Sequence, residues 1–146
     1  MKKTYIHYGN NSFDNEKFIE IRNDSWVKPI GGFWASDINA KFGWKDWCNQ
    51  ENFRECNIDN SFTFELKENA KILLIDNAQK LSELPKVDMP YKTSWINLDF
   101  EKIKKDYDAM EVLISLDRKL YWDLYGWDCD SILIMNPKCI KVIENE

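Results

Sequence analysis

One histidine stands in the chain, His7, at the end of Thr4-Tyr5-Ile6-His7-Tyr8, which stops at Gly9-Asn10-Asn11. Two carboxylates, Asp128 and Asp130, precede Ser131-Ile132-Leu133-Ile134-Met135, and Asn136-Pro137 closes that run. Between these ends lie Lys28-Pro29-Ile30-Gly31-Gly32-Phe33-Trp34-Ala35-Ser36 and Gly43-Trp44-Lys45-Asp46-Trp47-Cys48. Imidazole and carboxylate can move protons or steady a developing charge, and indole faces can stack on a flat or cationic ligand. Aromatic residues make up 14% of the chain, with 7 Trp, 6 Tyr and 8 Phe, and many sit beside polar residues, so some rings are expected to meet a ligand rather than the core. Asp108 and Glu111 form a rival carboxylate pair, with Asp108 read as a turn before a strand and Glu111 as that strand's outward face.

Several chemistries are excluded by what is missing. The chain has no GxxxxGK[ST] loop, no GxGxxG after a strand, no GxSxG elbow, no HExxH and no EF-hand loop. Any cysteine together with His7 would make a thiol nucleophile conceivable, but no local sequence supports it. Cys48, Cys56, Cys129 and Cys139 are not in CxxC pairs, and with one histidine a zinc site would need nearly all of them at unsuitable spacing. Buried free thiols are expected, with no metal.

The elements that must position these residues follow from pattern. Lys3 to Tyr8 reads as a strand ended by the Gly9 turn, and Phe33 to Ser36 as a strand made approachable by two glycines. Gly43 to Phe53 suits a short helix with Trp44, Trp47 and Cys48 at i, i+3 and i+4. Ser61 to Lys67 alternates strictly, which turns Phe62, Phe64 and Leu66 inward. Ala70 to Ile75 reads as a more fully buried strand, Asp76 to Leu84 as weakly helical, and Pro85 and Pro90 as marks of a long connection. Asn97 is expected to cap a helix carrying Phe100, Ile103 and Tyr107 on one side. Ala109 to Ser115, Leu120 to Trp127, Ser131 to Met135 and Ile140 to Ile143 complete six or seven strands against three short helices. Phe13 to Val27 is undecided between helical turn and strand. Without βαβ alternation, this is a mixed α+β sheet fold in a single domain, 1–146.

At 146 residues with 20 Lys+Arg against 25 Asp+Glu, the chain carries net −5, so its overall field does not favour phosphate backbones or anionic membranes. Lys102, Lys104 and Lys105 are a solvated helix face or a local basic strip. No stretch approaches the roughly 20 apolar residues of a membrane span. Met1-Lys2-Lys3 is not followed by the apolar run of a secretory signal, so the expected location is cytoplasmic.

Taken together, the quoted segments resemble the ADP-ribosyltransferase superfamily, in its histidine-containing branch. Tyr5-Ile6-His7-Tyr8-Gly9 is similar to the family's opening strand. Gly32-Phe33-Trp34-Ala35-Ser36-Asp37 with Gly43-Trp44-Lys45-Asp46-Trp47 is similar to its second motif, a strand leading to a helix with a stacking aromatic. Asp128-Cys129-Asp130-Ser131 through Asn136-Pro137-Lys138-Cys139-Ile140 is similar to the third, an acidic residue opening a hydrophobic strand. The third motif of the family usually presents glutamate where this chain has Asp130, and the second more often tyrosine than tryptophan.

The resemblance implies mainly antiparallel split sheets with short helices, and NAD as the substrate bound between them. It implies cleavage of the nicotinamide–ribose bond and transfer of ADP-ribose to a macromolecule, a protein sooner than a nucleic acid, as in phage or toxin effectors. An NAD glycohydrolase, or an inactive module binding a nucleotide or protein, is the alternative. Asp130 would then steady the oxocarbenium-like ribose, and His7 would contact a ribose. Tyr8 and Gly9 would offer close backbone, and Ser36 a hydroxyl. Trp34, Trp44 and Trp47 would supply faces for the cationic ring. The plain alternatives are a half-exposed structural His7, tryptophans in the core, a solvated turn at Asp128 and Asp130, and a Lys28-Pro29 that only shapes its loop.

Overall fold

The computed structural model describes residues 3–24, 28–53, 55–88, 96–124 and 127–143. Val27, Pro90, Met1 and Lys2 lie outside the described residues. Strands β1 (Thr4–Tyr8), β2 (Phe33–Asp37), β3 (Ser61–Leu66), β4 (Ile72–Ile75), β5 (Ala109–Val112), β6 (Ser131–Ile134) and β7 (Ile140–Ile143) form one seven-stranded sheet in the order β4-β5-β6-β2-β1-β3-β7. Helices α1 (Trp44–Glu51), α2 (Ala78–Ser82), α3 (Phe100–Asp106) and α4 (Arg118–Asp123) are short. The β4–β5 pair is parallel and the other ladders are antiparallel. This is an α+β architecture. No helix among the described residues is long and apolar enough to cross a membrane.

Period-2 alternation sends side chains to the two faces of the sheet and builds a core on each. On one face, Met110, Val112 and Leu133 pack with Ile75, Leu81 of α2, Phe100 and Ile103 of α3, and Leu120 of α4. On the other, Tyr5, Ala35, Phe62, Phe64, Ile132 and Ile134 pack against one another without a helix between them. They manage this because the sheet curls: Tyr5 on β1 donates its hydroxyl to Glu111 on β5 at 3.1 Å, although β6 and β2 lie between those strands. Glu111 is therefore buried, contrary to its expected outward position, and Lys3 pairs with it at 3.2 Å. Burial pushes the Glu111 carboxyl above its usual range despite that ammonium.

Three other expectations need correction. Leu120 to Trp127 begins as a helix, α4, whose amide Lys119 N–H is capped by the Asp117 side chain; its run of rings carried no usable period. The α3 cap is Asp99, which accepts from Lys102 N–H, while the Asn97 carbonyl is taken by Val87. β4 is an edge strand with Ile72 and Leu74 41% and 37% exposed, since a neighbour covers it on one side alone. The four cysteines are free and buried, as their spacing suggests.

What positions the site is an interrupted ladder. β1 and β2 pair at Tyr5↔Asp37 and Ile6↔Ser36 and then part, β1 continuing along β3 to Tyr8↔Ser61 while Phe33, Trp34 and Ala35 pair with β6. The backbone direction of each residue follows from its neighbours: Gly9 N–H donates to Asn60 on the β3 side, and the Thr4 carbonyl accepts from Ile38 on the β2 side. By alternation, Tyr8 and Trp34 turn their main-chain groups toward each other across the opening.

Candidate functional site

A cleft of about 370 Å³ occupies this split, a size suited to part of a nucleotide. His7 and Tyr8 line it from β1, Phe33, Trp34 and Ala35 from β2, Trp44 from the start of α1, Trp127 and Asp128 from the approach to β6, and Ser131 from the first position of that strand. Three stretches far apart in sequence thus meet in one cavity. Of the residues singled out from the sequence, it gathers His7, Tyr8, Trp34 and Trp44.

Gly9, Ser36, Trp47 and Asp130 do not line it. Gly9 has φ +115° and open space around any added Cβ, so its glycine serves the turn and not a close approach. Ser36 is buried and braces two elements: its hydroxyl donates to the Asp130 carbonyl at 2.9 Å and accepts from Trp44 N–H at 2.9 Å, which fixes the start of α1 beside the cleft. Trp47 stacks on Trp44, centroids 5.3 Å apart and 21° from parallel, and lines a neighbouring groove.

Asp130 departs most from its expected place. It is 3% exposed, and its carboxylate accepts from Ser115 N–H at 2.8 Å, Ser115 Oγ at 2.6 Å and Phe42 N–H at 3.3 Å. With both oxygens engaged by a loop after β5 and a loop before α1, this carboxylate is a structural tie. Asp128 is the acid that reaches the cleft, and it borders the neighbouring groove as well. Its carboxylate has no hydrogen-bond partner among the described residues.

The His7 ring lies between Phe33 and Phe62, with centroids at 5.4 and 5.2 Å, and its Nδ1 is hydrogen-bonded to the Trp34 carbonyl. That bond bridges the two strands where their ladder ends. Burial lowers its pKa below the usual histidine value, outweighing the carbonyl, which favours the charged ring. His7 is then neutral at pH 7, with Nδ1 as donor and Nε2 as acceptor. Because the folded pKa is depressed, the stability carried by neutral His7 is complete above the unfolded value of about 6.5 and is lost as pH falls through the folded value. As the one histidine of the chain, its ring proton is expected to titrate below pH 6.5 by NMR. The thermal midpoint should fall on acidification below that pH more in the wild type than in His7→Gln.

Cys129 also borders the cleft, but burial, then Asp130 and Asp128, push its thiol up to about 12, which removes a thiolate nucleophile at neutral pH. Lys28, Trp127, Asp128 and Ser131 are among the cleft residues that the sequence did not single out as site residues. Asp128 carried a signal in its place two residues before Asp130, and Lys28 and Ser131 in lying within the quoted segments. Comparison with known proteins adds no assignment: no family model, no curated protein and no solved structure matches the chain.

Proposed function

We propose that this chain is an ADP-ribosyltransferase-like protein that binds NAD, breaks its nicotinamide–ribose bond and passes ADP-ribose to a protein acceptor, with Asp128 as the carboxylate. One observation carries the reading: the three family-like segments, distant in sequence, border a single cleft at the split between β1 and β2. The indole faces of Trp34 and Trp44 suit a flat cationic ring. The main-chain edge of Tyr8 and the N–H of Trp34, whose carbonyl is taken by His7, suit its carboxamide, because a split ladder leaves donors and acceptors in want of partners. As the C1′–N1 bond breaks, its electron pair leaves with neutral nicotinamide, positive charge develops on the ribose, and Asp128 stabilises it. The acceptor's nucleophile forms the new bond at C1′ and releases its proton to solvent.

The test is nicotinamide release from NAD by the purified protein, with Asp128→Asn beside it. Wild-type release together with a loss of about 10²–10³ in the variant is expected. NAD binding without release would leave a binding module, and absence of binding would end the reading.

The acceptor's approach is the groove on the other side of Asp128, bordered by Trp47, Arg118, Tyr121 and Trp122. Trp122 is 67% exposed, a large apolar surface left in solvent at the edge of the site. Trp122→Ala is expected to lower transfer to a protein acceptor about tenfold while NAD hydrolysis stays at wild-type rate. Equal loss of both would remove the groove from acceptor binding.

A further inference from the structure

Lys28 brings a positive charge into the cleft of an acidic protein. Its Nζ sits 5.5 Å from the centroid of the Trp34 ring, and it borders the cavity together with Asp128. Among the described residues no carboxylate forms an ion pair with it. Its backbone is held close by: Arg22 and Ile30 exchange both main-chain hydrogen bonds, at 3.0 and 2.9 Å, and Gly32 N–H donates to the Ile19 carbonyl at 2.8 Å. The chain is thus anchored two residues beyond Lys28, while its four-carbon stem leaves the ammonium free to change position. Trp34 is fixed in turn by its ladder to Leu133 and by Trp127, 4.6 Å away and nearly perpendicular.

We propose that Lys28 is a resident competitor for its own cation site. In the empty cleft its ammonium occupies the face of Trp34. When a dinucleotide binds, the cationic ring takes that face and the displaced ammonium pairs with a phosphate of the same ligand. The proposal rests on the NAD reading for the identity of the ligand, and it adds to it a role for Lys28 in selecting ligands that carry both a cation and a phosphate. The exchange is favourable because a compact ammonium gains more from a charge-assisted bond to phosphate than from an aromatic face, and the pyridinium, which has no N–H to donate, loses little by stacking.

The experiment uses calorimetry with two fragments on the full chain: ADP-ribose, which has phosphates and no cationic ring, and nicotinamide riboside, which has the ring and no phosphate. For Lys28→Gln the affinity for ADP-ribose is expected to fall about tenfold or more, with a shallower salt dependence. Its affinity for nicotinamide riboside should stay level or rise a few-fold. Lys28→Arg should restore ADP-ribose binding, and thermal midpoints should agree among the three proteins because Lys28 is exposed. Wild-type binding of ADP-ribose that Lys28→Gln leaves unchanged overturns the role of Lys28 and spares the NAD reading. Parallel weakening toward both fragments overturns it too, since it signals a disturbed cleft. Failure of the wild type to bind either fragment overturns both.

Discussion

Gly32→Ala is expected to destabilise the protein by about 3 kcal/mol, from about 1 kcal/mol for a left-handed alanine and about 2 for overpacking. Gly32 has φ +66°, and an added Cβ would lie 2.6 Å from the Ile134 carbonyl oxygen, 2.8 Å from Ile21 Cδ1 and 3.0 Å from Leu133 Cδ1. The first of these is backbone of the neighbouring strand and cannot rotate away, so β2 would have to shift against β6. Gly9→Ala is the internal control. Gly9 has φ +115° but nothing within 4 Å of an added Cβ, so it loses only the conformational part, about 1 kcal/mol. In thermal unfolding this amounts to about 10 °C for Gly32→Ala and about 3 °C for Gly9→Ala. Equal shifts would mean that the contact with Ile134 is not what makes residue 32 a glycine. Because β2 carries Trp34 and the loop with Lys28, Gly32→Ala should weaken ligand binding as well.

The same two strands show how far the sequence could be read. Alternation in Phe62, Thr63, Phe64 and Glu65 is local, and it is what β3 displays. The two glycines before Phe33 announced an unusual approach, and both have positive φ. What local pattern does not contain is the curl that brings Glu111 to Tyr5, or the parting of β1 from β2, since each depends on partners roughly 30 to more than 100 positions away. Nor does it contain Lys28, whose placement over Trp34 depends on the anchoring of Ile30 to Arg22. The helix α4 was hidden for a different reason. Leu120, Tyr121, Trp122 and Leu124 are bulky at nearly every position, and the half that faces solvent, Tyr121 and Trp122, is as apolar as the half that is buried.

The acid at the site shows the same limit most sharply, and it yields a second large effect. Asp128 and Asp130 are alike in type and two residues apart, both in the irregular stretch before β6, where strand alternation does not yet apply. Which of them faces the cleft is decided by Ser115 and Phe42, whose amides and hydroxyl hold Asp130 away from it. Substituting each by asparagine should therefore separate stability from chemistry. Asp130→Asn replaces an acceptor oxygen by an NH₂ facing donors that no longer have a partner, and leaving such groups buried costs about 3 kcal/mol, or about 10 °C in midpoint. Asp128→Asn touches no such network. Its stability should stay within about 0.5 kcal/mol of wild type, while nicotinamide release falls by about 10²–10³. Urea unfolding and the release assay on the same two preparations distinguish the roles. The reverse pattern, with Asp130→Asn as stable as wild type but inactive and Asp128→Asn fully active, would return the catalytic carboxylate to residue 130 and require Ser115 and Phe42 to release it when ligand binds.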